Sequence, residues 1–213
     1  MNNLEQLNQI FLLLEKEHKP TMLELFNDYN PFQLLIATML SARTKDTTTI
    51  PIVKKMFEKN YSPKDFLSIP LTKLEKMLYR IGFYKVKANN IHKLSRIILE
   101  KYNGNVPNTF EDLTSLPGVG RKTANCILNY VFKQPCIAVD IHVHRISNRL
   151  GWVKTKSPEE TEEALKIFLP KDKWIKVNSL LVDHGQRICL PIKQKCNCCS
   201  ISDYCPTSSL KLF

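Results

Sequence analysis

Apolar residues recur at intervals of three and four through most of this chain, and sustained alternation is rare, so the pattern predicts helices. Leu4, Leu7, Ile10, Phe11 and Leu14 line one face of a first helix. Asn30-Pro31 reads as a cap followed by an N1 proline, opening a helix over Phe32 to Leu40. Asp46 is expected to cap a helix reaching about Asn60, with Pro51 holding its regular start nearby. Thr72 with Glu75 forms a capping box for a helix that stops at Gly82, and the next carries Ile91, Leu94, Ile97 and Ile98. Thr109 caps a short helix ending near Leu116. Cys136 to Val139 has the composition of a strand but no partner nearby, so an extended connector is expected. Asp140, Ser157 and Asp172 head three further helices, the last with Trp174, Val177, Leu181 and His184 on its inner face. The expected fold class is all-α with short connections.

Between two of these helices lies Leu116-Pro117-Gly118-Val119-Gly120-Arg121-Lys122. Proline and two glycines here make a tight hairpin, because glycine reaches positive φ without a steric penalty. The second helix, carrying Ala124, Ile127, Leu128 and Val131, then points its free N–H groups outward, a geometry suited to phosphate. Lys122 falls in its first turn. The macrodipole disfavours a cation there, and that field, Arg121 and burial each push the amine toward its neutral, nucleophilic form. A plain phosphate contact is the alternative role. Asp140 likewise reads either as an ordinary N-cap or as a working carboxylate.

Charge and cysteine content narrow the class of partner. The 213 residues carry 31 Lys+Arg against 20 Asp+Glu, a formal charge of +11, which favours a polyanion such as nucleic acid. The apolar run Ile10 to Leu14 is short and flanked by Glu5, Glu15 and Glu17, so neither a signal peptide nor a membrane span is expected. An intracellular protein is the corresponding expectation, in which seven cysteines point to metal or redox chemistry rather than disulfides. Cys189, Cys196, Cys199 and Cys205 follow the spacing C-x6-C-x2-C-x5-C. Four thiolates from one short loop suit an iron–sulfur cluster or a structural zinc ion, and spacing alone does not choose. Cys198 interrupts the pattern and is able to replace a neighbour. Cys126 and Cys136 read as buried thiols.

Leu116-Pro-Gly-Val-Gly-Arg-Lys-Thr-Ala-Asn125, Val139-Asp140-Ile-His142-Val-His-Arg145 and the four-cysteine tail together resemble the endonuclease III family of helix-hairpin-helix DNA glycosylases. Met39 to Asp46, Gly82-Phe-Tyr84 through Lys87-Ala88, and His184-Gly185 extend the likeness to nearly the whole chain. The resemblance implies a two-domain helical glycosylase fold with an iron–sulfur loop at the C-terminal end. One domain, 24–134, would hold six helices and the hairpin. The other, 1–23 plus 135–213, would hold the cluster, with the active site in a groove between the two. Lys122 matches the family's nucleophile, Asp140 its carboxylate, and the four cysteines its [4Fe-4S] ligands.

The activity implied is a bifunctional DNA glycosylase and AP lyase of base excision repair, removing oxidised pyrimidines from double-stranded DNA. A mismatch-directed uracil/thymine glycosylase and a non-catalytic DNA-binding module are the alternatives. The added C-terminal domain of adenine-specific relatives is not expected here, and a monomer without membrane contact is expected. Gly118, Gly120, Arg121 and His142 are implied DNA contacts, and Lys85, Lys87 and Lys195 candidate phosphate contacts. Two positions depart from the family pattern. Arg43 stands where many bacterial relatives have Gln, beside the gap left by an extruded nucleotide. Phe83 stands where many have Leu, in a loop beside the opposite base. A phosphate contact or local salt bridge for Arg43 and a core position for Phe83 are the competing roles.

Overall fold

In the computed structural model residues 3–59 and 61–208 are described. They form eleven α-helices and three short 3-10 turns, with no strand among them. The chain divides into two compact units, Met22–Gln134 and Met1–Thr21 with Pro135–Phe213.

The first unit is built around α2 (Pro31–Ser41), whose residues Phe32 to Leu40 are all buried. A helix apolar on every side must be central, and each large side chain hidden there contributes about 1.5–3 kcal/mol. Asn30 and Gln33 close a reciprocal capping box at its start. Around it lie α3 (Asp46–Phe57), α4 (Pro63–Ser68), α5 (Leu71–Met77), α6 (Tyr84–Tyr102), α7 (Phe110–Ser115) and α8 (Arg121–Tyr130). α2 packs against α3, α6 and α8, while α6 also packs against α4 and α5. Phe66 is fully buried at the centre of an aromatic group with Phe32, Phe57 and Tyr61.

The second unit comprises α1 (Asn3–Glu17), α9 (Ile141–Arg149), α10 (Pro158–Phe168), α11 (Lys171–Arg187) and the cysteine-rich tail. α11 packs against both α1 and α9, and α10 against α9. Leu7, Ile10, Phe11 and Leu14 meet Val143, Ile146, Leu165, Val177 and Leu181 in its core. Ile137 to Val139 is the expected extended connector, buried between helices rather than paired in a sheet.

Several boundaries differ from the sequence expectation for identifiable reasons. Pro70 and Pro170, not Thr72 and Asp172, occupy the cap positions of α5 and α11. Their fixed φ (−54° and −58°) pre-sets the turn, so the helix begins before a side-chain cap is reached. α5 ends at Met77, ahead of Gly82. α3 begins at Asp46 with Lys45 as cap and carries Pro51 inside it, ending at Phe57; Asn60 lies outside the described residues. Ser62 and Asp65 cap α4, a short helix the periodicity did not reveal. Leu4 is 54% exposed, off the buried face of α1.

Candidate active site

α7 and α8 are joined by a turn whose conformation follows from its composition. Thr109 accepts from the Asp112 N–H to open α7. The Val119 N–H then donates to the Leu116 carbonyl (3.1 Å), with Gly118 at φ +82°. Proline followed by a positive-φ glycine is the signature of a type II turn. A Cβ on Gly118 would lie 2.7 Å from Asn90 Nδ2 and 3.1 Å from Met39 Sδ, so the turn is pressed against the body of its unit. Gly120 caps α8 in extended conformation, and nothing lies within 4 Å of where its Cβ would be. The next N–H groups, from Arg121 onward, head a helix whose first turn has no intrahelical acceptors. Arg121 lies over the Phe110 ring at 5.2 Å, and Lys122 is half-buried in that first turn.

In the other unit, Asp140 caps α9. Its Oδ1 accepts from the N–H groups of His142 (2.8 Å) and Val143 (3.0 Å), fixing a half-buried carboxylate at the helix start. His142 Nδ1 lies 3.1 Å from Arg145 Nη2, which also donates to the carbonyls of Gly185 (3.2 Å) and Cys189 (2.9 Å). One turn on, Arg149 Nη1 donates to Cys189 Sγ (3.2 Å) and the Leu190 carbonyl (2.7 Å). The two arginines thus clip the start of the cysteine loop onto α9. Sequence reasoning did not find the role of Arg149; its four-residue spacing from Arg145 was the available signal.

Cys189, Cys196, Cys199 and Cys205 all line one cavity of about 40 Å³, with Ile146, Leu150 and Ile201 forming apolar wall. Among the described residues no three His, Cys, Asp or Glu side chains close around a point as a single metal ion requires. That cavity exceeds the roughly 10–15 Å³ that holds one water. Burial pushes the Cys199 thiol up to about 11, so its thiolate needs a strong positive charge beside it. Buried His184 sits close by, with Nε2 3.7 Å from Cys199 Sγ and Nδ1 3.4 Å from Glu17 Oε1. Cys198 is exposed and donates to the Lys195 carbonyl (3.4 Å), and it does not line the cavity. The neighbour-replacement reading for Cys198 has no geometric support.

Lys87 also differs from expectation. It is 8% exposed and donates to the carbonyls of Leu40 (2.9 Å) and Ala42 (2.5 Å), so it closes the C-terminal end of α2 instead of reaching phosphate. Burial pushes its pKa down to about 8. Arg43 and Phe83 are both exposed, which removes the core reading for Phe83.

A helix-hairpin-helix with a lysine in the second helix, joined in one chain to a four-cysteine loop, is a repair-protein architecture. Residues 36–171 match the model of the HhH-GPD superfamily of base excision DNA repair proteins, and the chain belongs to that family. Within it, the chain is 46% identical to Endonuclease III of Thermotoga maritima over 94% of its own length and 91% of that protein's. The solved structure of a trapped Endonuclease III–DNA covalent intermediate, an estranged-adenine complex, matches with a TM-score of 0.82 and 36% identity. It covers 97% of this chain and 98% of the other. A thermostable thymine-DNA glycosylase matches with a TM-score of 0.81 at 25% identity, over 94% of both chains. No helix among the described residues is long and apolar enough to cross a membrane.

Proposed function

We propose that this chain is a bifunctional DNA glycosylase and AP lyase that removes oxidised pyrimidines from duplex DNA in the nucleoid, with Lys122 as nucleophile and Asp140 as its carboxylate. The observation that carries the reading is Lys122 itself, half-buried in the first turn of α8 beside the hairpin amides. A phosphate held on those N–H groups would bring the deoxyribose of an extruded nucleotide toward the amine. In its neutral form Lys122 forms a bond from Nζ to the sugar C1′ while the C1′–N bond to the base breaks. The departing base keeps the electron pair and takes up a proton. Asp140, ionised, stabilises the positive charge that develops on the sugar and relays protons as the ring opens. The resulting Schiff base is an electron sink: loss of a C2′ proton then expels the 3′ phosphate by β-elimination. A serine or tyrosine cannot form that iminium, so a lysine here argues for the lyase step.

The donor set, four cysteines lining one cavity, suits a [4Fe-4S] cluster that Cys189, Cys196, Cys199 and Cys205 would hold. When bound it would cross-link a tail that has only short 3-10 turns of its own.

Borohydride reduction on abasic DNA tests the assignment. Wild type is expected to give a covalent adduct, and Lys122→Ala none. Asp140→Asn should bind DNA while slowing base release, at some cost in helix capping. Trapping that survives Lys122→Ala would overturn the nucleophile. The likeness to a thymine-DNA glycosylase supports a second reading, excision at mismatches, so the lesion panel should include G:T and G:U duplexes alongside oxidised pyrimidines.

A further inference from the structure

The residue beside Lys122 is held by a second helix. Arg121 is the first residue of α8, and its guanidinium lies over the ring of Phe110, the first residue of α7, 5.2 Å from the centroid. Both side chains are half-buried. α8 itself gives a cation no reason to be there. The macrodipole disfavours positive charge in a first turn, and the positions one turn on are Ala124 and Asn125, neither of them acidic. The ring face, with its negative potential, does favour the charge at this place.

Phe110 is in turn fixed by the start of its helix. Thr109 Oγ1 accepts from the Asp112 N–H (3.2 Å) and donates to Asp112 Oδ2 (2.9 Å). Tyr102, at the end of α6, donates its hydroxyl to Asp112 Oδ1 (2.7 Å), and Lys101 Nζ donates to the same oxygen (3.3 Å). The start of α7 is thus tied to the end of α6, and the ring sits on a braced turn. Immediately before Arg121, Gly120 has nothing within 4 Å of where a Cβ would lie. A loose arginine must be ordered before it grips a partner, whereas one already laid on a ring has given up part of that freedom. Its five N–H donors are enough to keep the ring contact and still fork an anion.

In a base excision DNA repair protein of charge +11, a guanidinium prepositioned at the hairpin suits a backbone phosphate. Resting on the hairpin reading above, we propose that Phe110 is a positioning residue for DNA, which holds Arg121 ready for a phosphate and acts on binding only through Arg121. Its effect falls on affinity, while the chemical steps at Lys122 proceed unchanged once DNA is bound. Phosphate contacts carry no sequence information, so the effect is the same for every lesion.

The test is a double-mutant cycle on the holoenzyme, read by anisotropy on a duplex with an uncleavable tetrahydrofuran abasic analogue over a series of salt concentrations. Phe110→Leu keeps the apolar bulk and removes the ring. It should weaken binding about three- to tenfold, the loss expected when one long side chain must be ordered on binding, with the salt slope unchanged. Phe110→Tyr keeps the ring face and should restore wild-type affinity. Arg121→Gln should weaken binding and reduce the salt slope by about 0.9, one phosphate. In that background Phe110→Leu should change affinity by less than about twofold. With cleavable abasic DNA, Phe110→Leu should raise KM by its binding factor and leave kcat within about twofold.

A loss of equal size from Phe110→Leu in both backgrounds would make the ring a packing residue and overturn the proposal. So would a Phe110→Tyr variant as weak as Phe110→Leu, or wild-type affinity in Phe110→Leu. Borohydride trapping run alongside keeps the two readings apart. Trapping intact with no effect of Phe110 overturns this inference alone. Absence of trapping in wild type overturns the lyase reading, and the binding cycle then decides the role of Phe110 by itself.

Discussion

Gly118→Ala and Gly120→Ala are predicted to fail in different ways, although the two glycines lie two positions apart. Gly118 holds φ +82°, where a side chain costs about 1–2 kcal/mol. Its new Cβ would also press into Asn90 Nδ2 at 2.7 Å, Met39 Sδ at 3.1 Å and Asn90 Cβ at 3.2 Å. Overpacking of this kind costs about 1–3 kcal/mol, and the stiffer unfolded chain returns roughly 0.4–1 kcal/mol. The net expectation is a loss of about 2–4 kcal/mol, a fall in melting temperature of about 5–15 °C for a chain of this size. Gly120 is at φ −94° with nothing within 4 Å of the Cβ position, so alanine there should change stability by less than about 1 kcal/mol. The proposed DNA contact puts a phosphate backbone against that same open side, so a methyl group there should weaken binding about tenfold. Thermal melting by circular dichroism and anisotropy on an abasic-analogue duplex, at matched iron content, separate the two effects. Were Gly118→Ala to melt within about 2 °C of wild type, or Gly120→Ala to bind DNA normally, the account of the hairpin would be wrong.

Lys87→Met should destabilise by about 2–4 kcal/mol, because it leaves the Leu40 and Ala42 carbonyls without their donor. Burial lowers the Lys87 pKa to about 8, so between about pH 8 and the unfolded value of 10.5 the unfolded chain binds more protons. Stability contributed at this site therefore rises with pH across that window, and the gap between wild type and Lys87→Met in a melting series should widen with it. Asp183 in α11 receives Arg187 Nε and Nη2, both at 2.6 Å, and the Lys19 N–H at 3.0 Å. Burial raises its pKa, but these partners outweigh it and hold the carboxylate below its ordinary value. The stabilisation is present above the unfolded value of 3.8 and is lost as pH falls through the lower folded one. Asp183→Asn should cost about 3 kcal/mol or more in denaturant unfolding at neutral pH. Iron analysis should find full loading in Cys198→Ser and loss in Cys196→Ser; the reverse order would contradict the cavity assignment.

Local chemistry made much of this molecule legible in the sequence. Asn30, Thr109, Asp140 and Ser157 cap the helices their spacing predicts, because a cap needs only a side-chain oxygen and an N–H two or three residues on. The hairpin follows from Pro117 and Gly118 in the same way, and the buried faces of α1 and α2 follow from periodicity. Properties that depend on residues distant in the chain were set only by tertiary structure. Lys87 reads as a surface cation until α6 is laid against the end of α2, where it becomes a buried donor. Spacing singled out Cys196 and Cys199 but left Cys198 able to replace a neighbour, and it is the turn of the backbone that leaves Cys198 exposed and off the cavity. Arg149 on Cys189, and Arg43 over Phe83, likewise exist only once loops far apart in sequence are folded together. Sequence spacing thus determined the groups available and their local geometry, while long-range packing decided which were buried, paired or left exposed, since those states depend on neighbours the local chain does not supply.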